Sequence, residues 1–239
     1  MKKVVLLLSV ALITIQSVSA QTIKGLFDKV TKSTSTSGSG LSNEDIINGL
    51  KDALRVGTDS SARRLSKLNG FFGDAAIKVL MPSEAKKVES TLRSFGMGQY
   101  VDKAILSMNR AAEDAASGVG NIFWDAIKKM SITDGLQILR GGDFAATDYL
   151  KSITTKELTE KFRPVIEASL VKVDATKYWK DMFTTYNKFS AKQVNTDLTA
   201  YVTERALSGL FLKISLEEQK IRKNPAAQVI DILKKVCRG

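Results

Sequence analysis

The chain has 239 residues, with 36 Lys and Arg against 25 Asp and Glu, one cysteine and no histidine. The lack of histidine excludes the commonest general base at neutral pH, the Ser–His and Cys–His nucleophile pairs and the commonest metal ligand. The single Cys237 excludes an intrachain disulfide, so stability must come from a hydrophobic core. We expect no metal, no cofactor and no conventional catalytic residue, although paired carboxylates leave acid–base chemistry open.

The first twenty residues have the pattern of an export signal. Lys2 and Lys3 precede an apolar run, and small residues end the segment at Ala20. Because the run is shorter than the roughly 20 residues of a membrane span, we predict cleavage before Gln21. The mature protein is then periplasmic or secreted, with no transmembrane span.

Residues 21–40 are predicted to be a short amphipathic segment followed by a Ser/Gly-rich linker, which places the compact domain at 41–239. Cleavage removes two lysines, so 34 basic and 25 acidic residues remain and the net charge is +9. The excess lies towards the C-terminus, where Thr155 to Gly239 hold 16 basic and 10 acidic residues. The basic excess favours binding to an anionic envelope partner. The alternative interpretation is that it only keeps the protein soluble. Nucleic acid is not expected, because acids are interleaved and no stacking-aromatic motif is present.

Helical spacing of apolar residues begins directly after the linker. Ser42 and Asp45 predict a capping box, and Gly57 is placed to end the first helix. A shorter helix is predicted to end at Asn69-Gly70, and the next to end at Gly96. Three further apolar patterns then predict helices that end near Ala115, Met130 and Leu139.

The second half of the chain continues the same pattern. Asp143 is predicted to cap a helix, and Pro164 to break or kink it because the residue before a proline disfavours helix. A long helix follows, with apolar residues close to every fourth position from Leu198 to Ile214, and Asn224-Pro225 begins a last one. We found no alternating strands joined by hairpin turns. The prediction is an all-α fold, a single compact multi-helix domain.

The stretch "RGGD" could be either a ligand-binding loop or a seam between two helices. A phosphate loop needs glycines four residues apart followed by Lys, whereas Gly141 and Gly142 are adjacent and Asp143 would repel phosphate. Calcium-loop spacing is also missing. The better interpretation is a seam between helices, with Gly141 or Gly142 left-handed and Asp143 accepting the next amides.

The stretch "SMNRAAE" contains the strongest polar group on an apolar helix face. Asn109 and Glu113 are four residues apart, and Arg110 can reach Asp114 or Glu113. These side chains beside Met108 form either a buried network, an exposed ion pair or a ligand-facing cluster. Our hypothesis for a ligand-binding site is Met108, Asn109, Arg110 and Glu113, with Arg140 and Asp143 at its rim.

Several segments in order resemble a bacterial family of unknown function, DUF4197: "SMNRAAE", "GGDFAATDYL", "KFRPVIE", "YVTERALSGLF" and "IRKNPAAQVIDILKKV". The resemblance runs from Leu41 to the C-terminus. It implies an exported all-helical bacterial protein and supplies no catalytic residue. Relatives tend to have an aromatic residue where this chain has Cys237, which argues against a thiol role shared by the family.

Two functions remain open from the sequence. The first is a carrier or sensor that encloses an apolar or amphipathic molecule, such as a fatty acid, between helices. The second is an envelope interaction or scaffold protein that uses its basic C-terminal half. A closed apolar cavity favours the first, and an exposed patch without a cavity favours the second.

Overall fold

The structure is a computed structural model that describes residues 42–188 and 193–223. The predicted signal peptide, amphipathic segment and linker lie outside these residues, as do the last predicted helix and Cys237. Within the described ranges the chain forms eight α-helices and one short 3-10 helix and contains no strand. The α-helices are α1 (Asn43–Leu65), α2 (Lys86–Ser94), α3 (Gly98–Ala116), α4 (Gly120–Lys129), α5 (Ile132–Arg140), α6 (Ala145–Val171), α7 (Ala175–Asn187) and α8 (Leu198–Lys223). The all-α prediction is confirmed.

The first helix begins as the sequence predicts and ends later. The Ser42 side chain accepts a hydrogen bond from the Asp45 amide, and the Asp45 side chain returns to the Ser42 amide, which completes the capping box. The predicted end at Gly57 is wrong, because α1 continues to Leu65. Thr58, Ala62 and Leu65 are buried, so packing of the second half outweighs the cost of a glycine inside the helix.

The two longest helices, α6 and α8, lie antiparallel in the centre of the domain. The start of α6 contacts the end of α8 through Glu218, while Arg163 of α6 forms an ion pair with Asp197 before α8. On α6 every fourth residue is buried: Ala146, Leu150, Thr154, Leu158, Phe162, Ile166 and Leu170. This stripe packs against the buried residues that recur at every fourth position of α8, and the two stripes form the centre of the main core.

The predicted break at Pro164 is wrong, since α6 runs through it without interruption. Pro164 cannot donate to the carbonyl of Glu160, and both residues are exposed. Water can therefore hydrate the carbonyl that the proline leaves without a donor. The buried stripe on the opposite face holds the helix together.

The turn between α5 and α6 also differs from its prediction. Gly141 has a φ of −76°, and neither Gly141 nor Gly142 is left-handed. Asp143 does not cap α6, because the N-cap residue is Phe144 and no local side chain bonds there. The stretch does join two helices, as predicted. The amides at the start of α6, however, donate to a side chain more than 70 positions away.

A second, smaller core seats α5 on α1. Its buried residues are Ile46, Ile47, Leu50, Met130, Ile138, Leu139 and Ala146. A Cβ at Gly135 would collide with the Ile47 side chain, so glycine permits the close approach of the two helices. This small core forms one wall of the cavity described below.

Candidate functional site

A cavity of about 460 Å³, open to solvent on one side, lies between α1, α5, the start of α6 and the end of α8. Most of its wall is apolar. Its apolar side chains include Leu50 and Leu54 from α1, Ile138 and Leu139 from α5, and Ile214 and Ile221 from α8. Small-molecule sites in proteins typically measure about 300–1,000 Å³ and have mostly apolar walls.

Gly57 gives the cavity part of its volume. It lines the wall in the middle of α1, and a Cβ built there would meet no atom within 4 Å. A larger residue at this position would therefore extend into the cavity without striking the backbone. Glycine inside a helix costs about 0.5–1 kcal/mol relative to alanine, and here its visible effect is to leave space.

Charged residues from α8 close one side of the cavity. Glu218 is buried and accepts hydrogen bonds from the amides of Ala146 (3.0 Å) and Thr147 (2.8 Å) and from the Thr147 hydroxyl (2.7 Å). These amides belong to the first turn of α6, where the partial positive charge of the helix stabilises a carboxylate. Glu218 thus takes the capping role predicted for Asp143.

Arg222 completes this network one helical turn further on. Its guanidinium is 2.8 Å from the Glu218 carboxylate and donates to the Ile138 carbonyl at 2.9 Å. The pair therefore ties the end of α5 and the start of α6 to α8. Both residues also line the cavity, so its polar wall is held in place by hydrogen bonds.

Glu217 faces the cavity beside this network and has two cationic neighbours. Its carboxylate is 2.6 Å from the Arg64 guanidinium and 2.8 Å from the Lys220 ammonium. Burial raises the pKa of Glu217, but the hydrogen bond from Lys220 and the charge of Arg64 outweigh it. The pKa therefore lies below its ordinary value. Glu217 is a carboxylate at neutral pH.

Arg140 and Asp143, the two predicted rim residues, both line this cavity. Both side chains are exposed. Asp143 has the Lys223 ammonium 4.0 Å away. The Arg140 guanidinium has no hydrogen-bond or ion-pair partner among residues 42–188 and 193–223. Arg140 is thus a charged group at the cavity that is available to an incoming molecule.

The four predicted site residues of α3 are not among the residues that line the cavity. Asn109 is fully buried, and its amide group pairs with both the amide (2.9 Å) and the carbonyl (2.8 Å) of Val79. Glu113 accepts from the amides of Phe71 (3.0 Å) and Phe72 (3.1 Å). These two side chains therefore fasten the loop between α1 and α2 to α3.

Arg110 and Met108 belong to the same assembly. The Arg110 guanidinium bonds Glu113 at 2.5 Å and the Asn69 side chain at 2.8 Å, and Met108 is buried in the main core. Of the alternatives weighed for this cluster, the geometry is that of a buried network. Its role in ligand binding stays a prediction, and it lies apart from the cavity walls.

Sequence reasoning missed Gly57, Glu217, Glu218 and Arg222. The sequence contains a pattern that could have identified two of them, Glu218 and Arg222. The stripe of α8 that includes Leu210 and Ile214 continues at every fourth residue to Glu218 and then to Arg222. A glutamate at a position where the pattern expects a buried residue, with an arginine four residues on, indicates a buried ion pair.

No helix within residues 42–188 and 193–223 has the length and apolar character needed to cross a bilayer. In the same ranges, no three side chains of the cysteine, aspartate and glutamate type come together as a metal site requires.

An all-helical domain with an apolar cavity between helices is the class of protein that the fold and the site define. The family model described as "Protein of unknown function (DUF4197)" matches residues 40–237, so the chain belongs to this family. No curated protein and no solved structure matches the chain.

Proposed function

We propose that the protein binds a small amphipathic molecule, with an apolar tail and one acidic head group, in the cavity between α1, α5 and α8. A fatty acid has this chemistry. The observation that carries the proposal is the apolar cavity of about 460 Å³ with Arg140 at its wall, for which the described residues provide no hydrogen-bond or ion-pair partner. Catalysis is not part of the proposal.

The charges around the cavity support an acidic head group. Glu218 is paired with Arg222, and Glu217 with Arg64 and Lys220. Asp143, the third acid of the wall, has only the Lys223 ammonium 4.0 Å away. The two glutamates are therefore already neutralised, whereas no partner of the Arg140 guanidinium lies among residues 42–188 and 193–223. A guanidinium binds a carboxylate through two parallel hydrogen bonds, so an acid gains more here than a neutral or basic group.

The apolar wall supports a hydrocarbon tail. Each buried methylene group contributes about 0.8 kcal/mol, which is close to fourfold in affinity. We expect affinity to rise with chain length until the tail fills the cavity, and then to level off. The chain length at which it levels off measures the usable depth of the site.

Native mass spectrometry of the purified protein, followed by titration, tests the proposal. Saturated fatty acids and fatty alcohols of equal length form matched ligand pairs that differ only in the head group. We expect a fatty acid to bind with a Kd below about 100 μM, equivalent to about 5.5 kcal/mol. Absence of any bound amphiphile, both as purified and after titration, would overturn the proposal.

The variant Arg140→Gln separates the head group from the tail. We expect it to weaken acid binding about tenfold and to leave alcohol binding unchanged, because only the acid pairs with the guanidinium. Arg63→Gln is the matched control, since Arg63 is an exposed arginine of α1 that does not line the cavity. Equal losses for acid and alcohol would contradict the assigned role of Arg140.

We also propose that the protein works outside the cytoplasm, on the basis of the export pattern in residues 1–20. Cell fractionation and N-terminal sequencing test this, with Gln21 expected as the first residue. The alternative function, an envelope interaction through the basic C-terminal half, predicts capture of an anionic partner by protein that binds no amphiphile. An amphiphile found bound in the cavity would therefore favour the first function over the envelope interaction.

A further inference from the structure

An exposed apolar tip projects where α2 turns into α3. Phe95 is 77 % exposed, Met97 is 42 % exposed and Tyr100 is 57 % exposed. We call these three residues the tip. No residue of α2 is fully buried, and only Val88 and Leu92 of that helix pack against the core. A group of large exposed apolar side chains at one turn is often a functional surface.

The backbone of the turn is satisfied by its own hydrogen bonds. Gly96 has a φ of +75°, and the Met97 amide reaches back to the Leu92 carbonyl at 2.9 Å. The amides of Phe95 and Gly96 also bond carbonyls of α2. This is the helix-closing pattern that requires a left-handed residue, for which glycine is best suited. Because these amides are already paired, the turn can enter an apolar layer at lower cost.

Residues 83–103, which contain α2, the tip and the start of α3, are called the hairpin here, and three of its lysines have no ionic partner among the described residues. Arg93 bonds both Glu89 (3.0 Å) and Asp102 (2.8 Å), so these acids are neutralised within the hairpin. The ammonium groups of Lys86, Lys87 and Lys103 have no hydrogen-bond or ion-pair partner in the part of the chain that the structure describes. Residues 83–103 hold four basic and three acidic residues, a net charge of +1.

We propose that the tip inserts into the interfacial layer of an anionic lipid membrane, with Lys86, Lys87 and Lys103 meeting the lipid head groups. Aromatic residues and methionine suit the boundary between head groups and hydrocarbon. Lys103 lies about 9 Å along α3 from the tip, and Lys86 and Lys87 about 12–14 Å along α2. A tip buried by about 5–10 Å would bring these lysines within the range of the negative surface potential. The contact is independent of the cavity and of the ligand proposed for it.

A protein partner fits the tip less well. If each side chain has about 200 Å² of surface, the tip exposes roughly 350 Å². One partner in a stable protein complex buries about 800 Å². A membrane has no such minimum, because depth of insertion and charge both add to binding.

The test uses an environment-sensitive fluorophore on the full chain in a Cys237→Ser background. One label is placed at Gln99→Cys, which leaves all three tip side chains intact. The control label is at Ser117→Cys, at the opposite end of α3 and about 27 Å away. Vesicles of phosphatidylcholine alone are compared with vesicles that also contain phosphatidylglycerol. Because both proteins keep the same N-terminal segment, binding through that segment does not produce a difference between the labels.

We expect the Gln99 label to shift to the blue with anionic vesicles only, and the Ser117 label to stay unchanged. Added salt should weaken the response. The double variant Phe95→Ser, Met97→Ser should need at least about tenfold more lipid for half-saturation. Leu68→Ser, which changes an equally exposed residue elsewhere, should match the wild type.

Replacing the three lysines by glutamine should also raise the lipid needed by about tenfold or more, without changing the emission of the bound state. An unchanged Gln99 label at saturating anionic lipid overturns the proposal, and so does an equal shift at Ser117. A shift that depends on protein concentration without lipid would show that the tip joins two copies of the chain, and would also overturn it.

Discussion

Two buried glutamates, Glu113 and Glu218, have the same local design in different surroundings. Each accepts hydrogen bonds from two successive backbone amides of a distant segment, and each is paired with an arginine of its own helix. Glu113 fastens a loop to α3 and borders a shallow, open surface pocket, whereas Glu218 lines the apolar cavity. A polar network alone therefore does not mark a binding site. What distinguishes the second region is that its cavity is more enclosed and more apolar.

The largest expected effect is at the Glu113 network. Glu113→Ala removes the acceptor of the Phe71 and Phe72 amides and leaves Arg110 without its carboxylate. Loss of one partner from a buried pair costs about 3–5 kcal/mol. We expect this loss of unfolding free energy in urea titration. Asp102→Ala, at an exposed ion pair, should cost less than about 1 kcal/mol. Similar losses in the two variants would contradict the comparison.

The second effect is at the cavity network and should be smaller. Glu218→Ala frees the Ala146 and Thr147 amides, but water in the cavity can replace part of the lost hydrogen bonding. We expect a loss of about 1–3 kcal/mol. Unlike Glu113→Ala, this variant should also change amphiphile affinity when both are measured well below their melting temperatures. An affinity change of the same size in Glu113→Ala would remove the distinction between the two networks.

A gain in stability is expected at Gly57. Gly57→Ala adds a methyl group in open space within α1 and relieves the cost of a helical glycine. The unfolding free energy should rise by about 0.5–1 kcal/mol in urea titration. Gly209→Ala is the contrasting variant, because its Cβ would lie against Phe71 and Ile77. A loss of stability at both positions would show that the space beside Gly57 cannot accommodate a methyl group.

The smallest effect concerns pH. The lowered pKa of Glu217 means that the folded state favours its carboxylate. The stabilisation is therefore fully present above the ordinary pKa of 4.5 and is lost as the pH falls through the lowered value. Glu217→Gln should reduce unfolding free energy at pH 7 more than at pH 3, measured by urea titration. An equal difference at both pH values would contradict the assignment.

The sequence was sufficient for the fold class because periodic apolar faces and caps are local signals. Ser42 and Asp45 specify the start of α1 through neighbouring residues, and the structure has that cap. Gly57 does not end α1 and Pro164 does not break α6, because tertiary burial of the remaining turns outweighs a local helix breaker. Local propensity predicts where a helix can stop, and packing decides whether it does.

The site was only partly predictable for a related reason. Arg140 and Asp143 stood out beside two glycines, and both line the cavity. The cap that Asp143 was expected to supply comes from Glu218, more than 70 residues later, and no local pattern contains that distance. The cavity itself depends on four helices meeting around Gly57. Empty space between helices has no sequence pattern.

Blocking the cavity is the most direct test of the central claim that this space is a ligand site. Gly57→Phe places a ring in the open space beside α1, whereas Gly57→Ala leaves most of the volume free. Titration of one fatty acid into both folded variants compares them. The account predicts wild-type affinity for Gly57→Ala and at least about tenfold weaker binding for Gly57→Phe. Equal affinity in the two variants would show that the amphiphile binds elsewhere.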